Sequence, residues 1–139
     1  LPLSGVGLSA VADCLFVMLQ NVTNRSGLEP APWVSISASR QGEDVFVLRA
    51  ENPVSEAVLE NLRGGRLAML ENRYSAPEET AKLVDQEGGS GLPKLWRMTR
   101  SIDNHDETKP LAFGVTDDSL WYVQVKLRLI QQDGVYHVS

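Results

Sequence analysis

The sequence has few of the residues that build disulfide frameworks, metal sites and membrane spans. Cys14 is its single cysteine, and His105 and His137 are its two histidines. An intrachain disulfide framework and a structural zinc site are therefore both excluded. No apolar run reaches the roughly 18 residues that a transmembrane helix needs. A lone cysteine in an apolar run fits a packed side chain in a reducing compartment, so we expect a cytoplasmic protein.

Positive charge is also scarce. The chain has 13 Lys and Arg against 18 Asp and Glu, a formal net charge of −5. Nucleic acids and anionic membranes are bound by clustered Lys and Arg, so the composition argues against both partners. The 139 residues, 42% of them hydrophobic, suffice for one folded domain over residues 1–139. Because the chain starts with Leu and not Met, we expect it to be part of a larger protein.

The first half of the sequence predicts a helix followed by a β-hairpin. Apolar residues recur at steps of three and four from Leu8 to Val22, which predicts an amphipathic helix over about 9–24, ended by Gly27. Alternating and β-branched residues then predict strands over 33–39 and 44–52, with Gly42 in the turn between them.

The second half predicts two more helices and a second strand pair. Ser55 is a candidate N-cap for a short helix that Gly64 and Gly65 would close. Apolar spacing predicts a helix over about 92–102, and the stretch 111–130 predicts two strands joined at its Asp-Asp-Ser. This order predicts an α/β (α+β) two-layer sandwich, in which helices cover one face of a mixed, mainly antiparallel sheet. The tryptophans are expected to be packing anchors: Trp33, Trp96 and Trp121.

Three segments carry a resemblance to a known family. They are "LFVMLQNVTNRSG" on the first helix, "VFVLRAENP" at the end of the second strand and "GGSGLPKL" before the last helix. In order and spacing they resemble the N, G1 and G2 boxes of the ATP-binding domain shared by histidine kinases, DNA gyrase and related chaperones, the GHKL superfamily. The resemblance covers nearly the whole chain and is closest to sensor kinases whose first strand pair ends in an Asn-containing turn.

The resemblance implies a role for the first helix. Asn21 matches the family's Mg²⁺-binding Asn, and Arg25 lies one turn further along the same helical face, where the family has a residue near the phosphates. Val17 stands where the family places Asn or Glu, and a valine cannot coordinate a metal. Taken alone, Asn21 also fits a solvated helix face.

At the second box, the family's Asp accepts a hydrogen bond from the adenine amino group. The resemblance implies that Asn52 or Glu51 is the acceptor here, since an amide oxygen also accepts from an amine. Neither glycine of the family's Asp-x-Gly-x-Gly pattern is present, and Pro53 follows Asn52. The alternative is a strand that simply ends in an Asn-Pro turn.

The third box is the best preserved. Gly89, Gly91 and Leu92 match the family's Gly-x-Gly-Leu pattern, whose backbone amides and helix N-terminus face the triphosphate. Lys94 lies in the first helical turn, and either it or Arg25 would neutralise phosphate charge. A flexible turn is the alternative for a Gly-x-Gly taken alone. The polar segment 66–90 stands where the family has a lid over the nucleotide.

As a whole, the resemblance implies the ATP-binding catalytic domain of a sensor histidine kinase in bacterial two-component signalling. It would bind ATP and Mg²⁺ and transfer a phosphoryl group to a His on a partner dimerisation domain, without contact with the membrane. The full-length protein would be a homodimer, and a response regulator is the other expected partner. No residue of this chain is assigned to catalysis.

Two alternatives stay open. The departures in the first two boxes also fit a degenerate domain that binds no ATP and acts as a phosphotransfer scaffold or protein-interaction module. The chain could instead be related to the anti-sigma-factor serine kinases, whose target is a protein Ser. Nothing in the sequence distinguishes this alternative from the histidine-kinase type.

Overall fold

Helices and antiparallel strands make up the part of the chain that a computed structural model describes, which is residues 5–75, 82, 91–99, 110–132 and 135–138. In chain order the helices are α1 (Gly5–Arg25), α2 (Glu56–Asn61), α3 (Leu67–Arg73) and α4 (Leu92–Thr99). The strands are β1 (Ser35–Gln41), β2 (Val45–Asn52), β3 (Leu111–Val115), β4 (Trp121–Gln132) and β5 (Val135–Val138). None of the helices in these ranges is long and apolar enough to cross a membrane.

The strands form one sheet in the order β1-β2-β4-β3, and β5 pairs with the last four residues of β4. Each strand pair within the described ranges is antiparallel. Helices on an antiparallel sheet agree with the predicted α+β class. The prediction of a mixed sheet is not met by these strands: β2 pairs with β4, which is not its neighbour along the chain, and this central pair is antiparallel too. The terminal strand β5 was not anticipated.

One face of the central strands packs on the helices. Alternate residues of β2 and β4 point to this face and are buried, as the period of two in a strand requires. Together with residues of α1 and α4 they form one apolar cluster, which includes Cys14, Val17, Met18, Leu48, Leu95, Val123, Val125 and Leu127. Each fully buried large side chain contributes roughly 1.5–3 kcal/mol of transfer free energy, so this cluster holds the two layers together.

The opposite face of the sheet carries polar side chains that satisfy one another. Arg49 forms an ion pair with Glu51 at 2.8 Å, and its guanidinium carbon lies 4.1 Å from the ring centroid of Tyr122. The Tyr122 ring lies so close to Gly114 that a Cβ there would be 3.1 Å from its Cε1 atom. This part of the face is therefore lined by polar side chains that pair with one another.

Backbone signals in the sequence locate the ends of α1 and α2. Gly27 has φ 74°, the left-handed conformation that commonly follows a helix C-terminus. The Ser55 hydroxyl accepts a hydrogen bond from the Val58 amide at 3.2 Å, as predicted for an N-cap. α1 begins four residues earlier than the periodicity predicted; the added residues include Gly5 and Gly7, which are poor helix formers and gave no sequence signal for this start.

The short helix predicted to close at Gly64 and Gly65 does break there, but a further helix that was not predicted follows directly. The chain turns through Leu62–Arg66, with Gly65 at φ 130°, and then continues as α3. Leu62 on one side of this kink and Leu70 on the other are both buried. Residues 67–73, at the start of the segment predicted as a lid, are therefore a packed helix and not a loop; apart from residue 82, the remainder of 76–90 lies outside the described residues.

Two of the three tryptophans pack as predicted. Trp96 and Trp121 are partly buried against the apolar cluster. Trp33 is 59% exposed, so its prediction as a packing anchor is wrong. It precedes β1, an edge strand whose residues are all exposed, and the alternating pattern could not distinguish an edge from a central strand.

A pair of glycine substitutions tests the junction between α1 and α2. A Cβ on Gly27 would lie against the Ser55 hydroxyl and 2.9 Å from Val58 Cγ2, at a positive φ. We expect Gly27→Ala to lower the free energy of unfolding by more than about 1 kcal/mol. Gly64 has helical backbone angles and open space around it, so Gly64→Ala should leave stability unchanged or raise it by up to about 1 kcal/mol. Equal losses in urea unfolding would contradict the account.

Candidate functional site

Asn21 is positioned by the buried stripe of α1. Val17, Met18 and Val22 are buried on the side of α1 that faces the sheet, and Asn21 lies one turn after Val17, so it shares that side. Its side chain is only partly exposed. The apolar neighbours therefore fix the side of α1 on which this polar side chain lies.

The N-terminus of α4 lies next to Asn21. Gly91 has φ 62°, and its carbonyl accepts the first helical hydrogen bond, from the Leu95 amide at 3.2 Å. Leu92 and Leu95 are buried and anchor the helix to the core. The amides of Leu92 and Lys94 are in the first turn, where a helix has no internal acceptor for them. Pro93 has no amide hydrogen, so it leaves no donor unsatisfied.

Asn21 and Gly91 come together in the fold. A Cβ placed on Gly91 would lie 3.8 Å from the Asn21 side-chain oxygen Oδ1. An amide oxygen from α1 is thus next to the positive end of the α4 dipole and its first-turn amides. These two positions are 70 residues apart in the sequence, and no local pattern required them to meet.

The structure separates the two candidates at the end of β2. Glu51 points to the polar face, where it is paired with Arg49. Asn52 points to the helical face, is 2% exposed and donates a hydrogen bond from Nδ2 to the Pro53 carbonyl at 2.9 Å. That bond uses the donor end of the amide, and Oδ1 is its acceptor end. Of the two candidates, Asn52 therefore lies on the same side of the sheet as α1 and α4, and Glu51 lies on the opposite side.

A backbone junction that sequence reasoning missed fixes the two asparagine-bearing segments relative to each other. The Ser55 amide donates to the Ser26 carbonyl at 2.8 Å. Ser26 is buried, and its hydroxyl accepts from the Leu28 amide at 3.2 Å. The junction lies a few residues after Asn21 on one side and after Asn52 on the other. Gly27 and Ser55 were each identified as helix signals, but a contact between them has no signature in the sequence.

The structure defines the positions of the remaining predicted site residues less closely. Arg25 and Lys94 are exposed, in the last turn of α1 and the first turn of α4 respectively. Gly89 and His105 lie outside the described residues. Among the residues that are described, no group of three or more His, Cys, Asp or Glu side chains could hold a metal ion.

Val17 has a structural role. It is 2% exposed and belongs to the apolar cluster. The position at which the resemblance would place a second polar residue is thus part of the hydrophobic core. Any chemistry at this site has to proceed without that polar group.

No family model, curated protein or solved structure matches this chain. The relation to the GHKL superfamily accordingly stays a resemblance, carried by the residues described above.

Cys14 is unsuited to nucleophilic chemistry. It is fully buried, and its Sγ lies 3.9 Å from Met98 Sδ. Burial, with a smaller contribution from Asp13, raises the pKa of the Cys14 thiol from 9.0 to about 11. The thiolate, which is the reactive form, is therefore strongly disfavoured in the folded protein.

This pKa predicts both reactivity and pH dependence. At about pH 8 the folded protein should react with an aromatic disulfide reagent about 100-fold more slowly than the same chain in denaturant, because thiolate is that much rarer. Folding favours the neutral thiol, so its contribution to stability is complete below pH 9.0 and is lost as the pH rises towards 11. Cys14→Ala should flatten this loss in urea unfolding measured across that range. Rapid labelling of the folded protein would contradict the prediction.

Proposed function

We propose that this chain is a nucleotide-binding domain with a GHKL-like fold of the histidine-kinase type, which binds Mg·ATP between α1 and α4. In the intact protein, the γ-phosphoryl group of this bound ATP would be transferred to a His on a partner domain, in two-component signalling. The proposal is supported chiefly by one observation: the Asn21 side-chain oxygen lies next to Gly91, at the N-terminus of α4.

The chemistry of this pair suits a metal-bound triphosphate. Mg²⁺ prefers oxygen ligands and is commonly held by one or two protein oxygens together with phosphates and waters. Asn21 would supply the protein oxygen. The amides of Gly91, Leu92 and Lys94, at the positive end of α4, would donate to phosphate oxygens. Lys94 or Arg25 would supply positive charge from the exposed rim.

Asn52 is the residue that would make the site specific for adenine. Adenine is recognised through an amino group that donates and a ring nitrogen that accepts, and a buried acceptor discriminates strongly because an unmatched partner leaves it unpaired. The acceptor Oδ1 of Asn52 lies on the helical side of the sheet, at the end of β2. Pro53, which holds the amide group through its carbonyl, would orient that acceptor.

A specific observation favours a second candidate, a domain that keeps the fold without binding ATP and acts as a scaffold or protein-interaction module. Val17 is buried in the apolar cluster, and the segment after Asn52 has neither of the family's two glycines; Pro53 and the N-cap Ser55 stand in their neighbourhood. Side chains at these positions restrict how closely a base can approach the backbone. The two candidates differ in a single measurable property, the affinity for Mg·ATP.

Calorimetric titration of the 139-residue chain with Mg·ATP distinguishes them. For the nucleotide-binding candidate we expect saturable binding that Asn21→Ala weakens at least about tenfold, since about 1.4 kcal/mol corresponds to that factor and charge-assisted contacts reach it. Asn24→Ala is the matched control, because Asn24 is exposed on the same helix and should keep the wild-type affinity.

The outcomes separate cleanly. Equal losses in both variants would indicate a general effect on α1, which thermal unfolding of the two proteins would reveal. Wild-type protein that produces no heat up to millimolar Mg·ATP would reject nucleotide binding by this chain and leave the second candidate. Binding that persists in the absence of Mg²⁺ with unchanged affinity would reject the metal-ligand role of Asn21.

A further inference from the structure

The edge of the sheet at β1 is open along its whole length. All seven residues of β1 are exposed, and within the described part of the chain β1 pairs with β2 alone. Its pairing with β2 is continuous from Ser35 opposite Glu51 to Gln41 opposite Val45, with no bulge. The other side of β1 therefore presents a regular row of backbone donors and acceptors, which is the surface that another strand binds.

β1 lacks the devices by which proteins usually protect such an edge. Edge strands are commonly very short, interrupted by Pro or a bulge, or lined with charges. β1 has seven residues, no proline and one charged side chain, Arg40. The Arg40 guanidinium donates to the Glu43 carbonyl at 2.7 Å. This positive charge is therefore held at the turn, and it does not protect the middle of the strand from pairing.

The side chains of β1 alternate in a way that matches a second copy of β1. On the polar face of the sheet lie Ser35, Ser37 and Ser39, opposite Glu51, Arg49 and Val47 of β2. On the helical face lie Ile36, which is 43% exposed, and Ala38. A partner strand needs hydroxyl or small polar groups on one face and apolar groups on the other, at a period of two. The sequence Ser-Ile-Ser-Ala-Ser meets that requirement.

We propose that two copies of this chain associate through antiparallel pairing of β1 with β1, with the two-fold axis at Ala38. This register pairs all seven residues, because Ser35 lies opposite Gln41 of the second copy and Ser37 opposite Ser39. Arg40 lies opposite Ile36 of the second copy, so the two arginines are kept apart and no like charges face each other. The result is a sheet that continues through both copies, with an isologous interface.

The interface is small, since it consists of one strand pair and its flanking side chains. Stable interfaces usually bury more than about 1,000 Å². The two copies are therefore expected to exchange with monomer, and the dimer population should rise with concentration. The pairing uses no residue of the candidate nucleotide site, so its test is independent of ATP.

Sedimentation velocity of the 139-residue chain, from micromolar to millimolar concentration, measures this association. The wild type should shift from monomer towards dimer. Ser37→Glu/Ser39→Glu places carboxylates opposite carboxylates in the proposed register and should remain monomeric over the same range. Both serines are exposed and Ser37 faces Arg49, so the monomer fold should persist, which far-UV circular dichroism checks.

Two further variants make the test specific. Ser37→Glu/Ser39→Lys places Glu opposite Lys of the second copy and should restore or strengthen the dimer. Ser9→Glu/Gln20→Glu adds the same two charges at exposed positions of α1, taking the net charge from −5 to −7 as in the disruptive variant, and should still dimerise.

A wild type that stays monomeric throughout would overturn the proposal and leave the edge to a strand from another protein. A dimer that survives Ser37→Glu/Ser39→Glu would place the contact elsewhere on the chain. Loss of the dimer in Ser37→Glu/Ser39→Lys would also overturn it, because the register predicts attraction between those side chains.

Discussion

The structure depends on the burial of one face of the β2–β4 pair beneath α1 and α4. Val125 and Leu95 are fully buried at this contact, and the side chains around them come from elements far apart in the sequence. A rigid, close-packed core of this kind fixes the rotation of each helix about its own axis. The rotation of α1 in turn determines where Asn21 points. The positions of the polar groups in the candidate site are therefore set by the packing of the apolar cluster, at whose edge they lie.

Much of this architecture could be predicted because it follows from local periodicity. Apolar spacing located α1 and α4, alternation located the two hairpins, and Gly27 and Ser55 marked helix ends. Where prediction failed, tertiary contacts decided. A further helix, α3, follows the break at Gly65 because it buries Leu70, and Trp33 is exposed because it precedes a strand at the edge of the sheet. The hydrophobicity of a residue does not show whether a neighbour will cover it.

The candidate site was predictable only in part, and for a different reason. Asn21, Asn52 and Gly91 were selected through resemblance to a family, not through a pattern that requires them to meet. Their relative placement rests on long-range contacts such as the one between Ser26 and Ser55, and these leave no trace in a single sequence. Asn52 and Glu51 are distinguished by the alternation of β2, in which neighbours point to opposite faces. Their chemistry alone does not distinguish them as acceptors.

The polar face of the sheet also affects the free energy of contact with other molecules. Arg49 is stacked on Tyr122 and paired with Glu51, and the ring itself lies over Gly114. Any surface pressed against this face would have to strip water from an ion pair, and such dehydration costs several kcal/mol per ion unless new partners replace it. The paired and stacked arginine thus makes this part of the polar face costly to dehydrate.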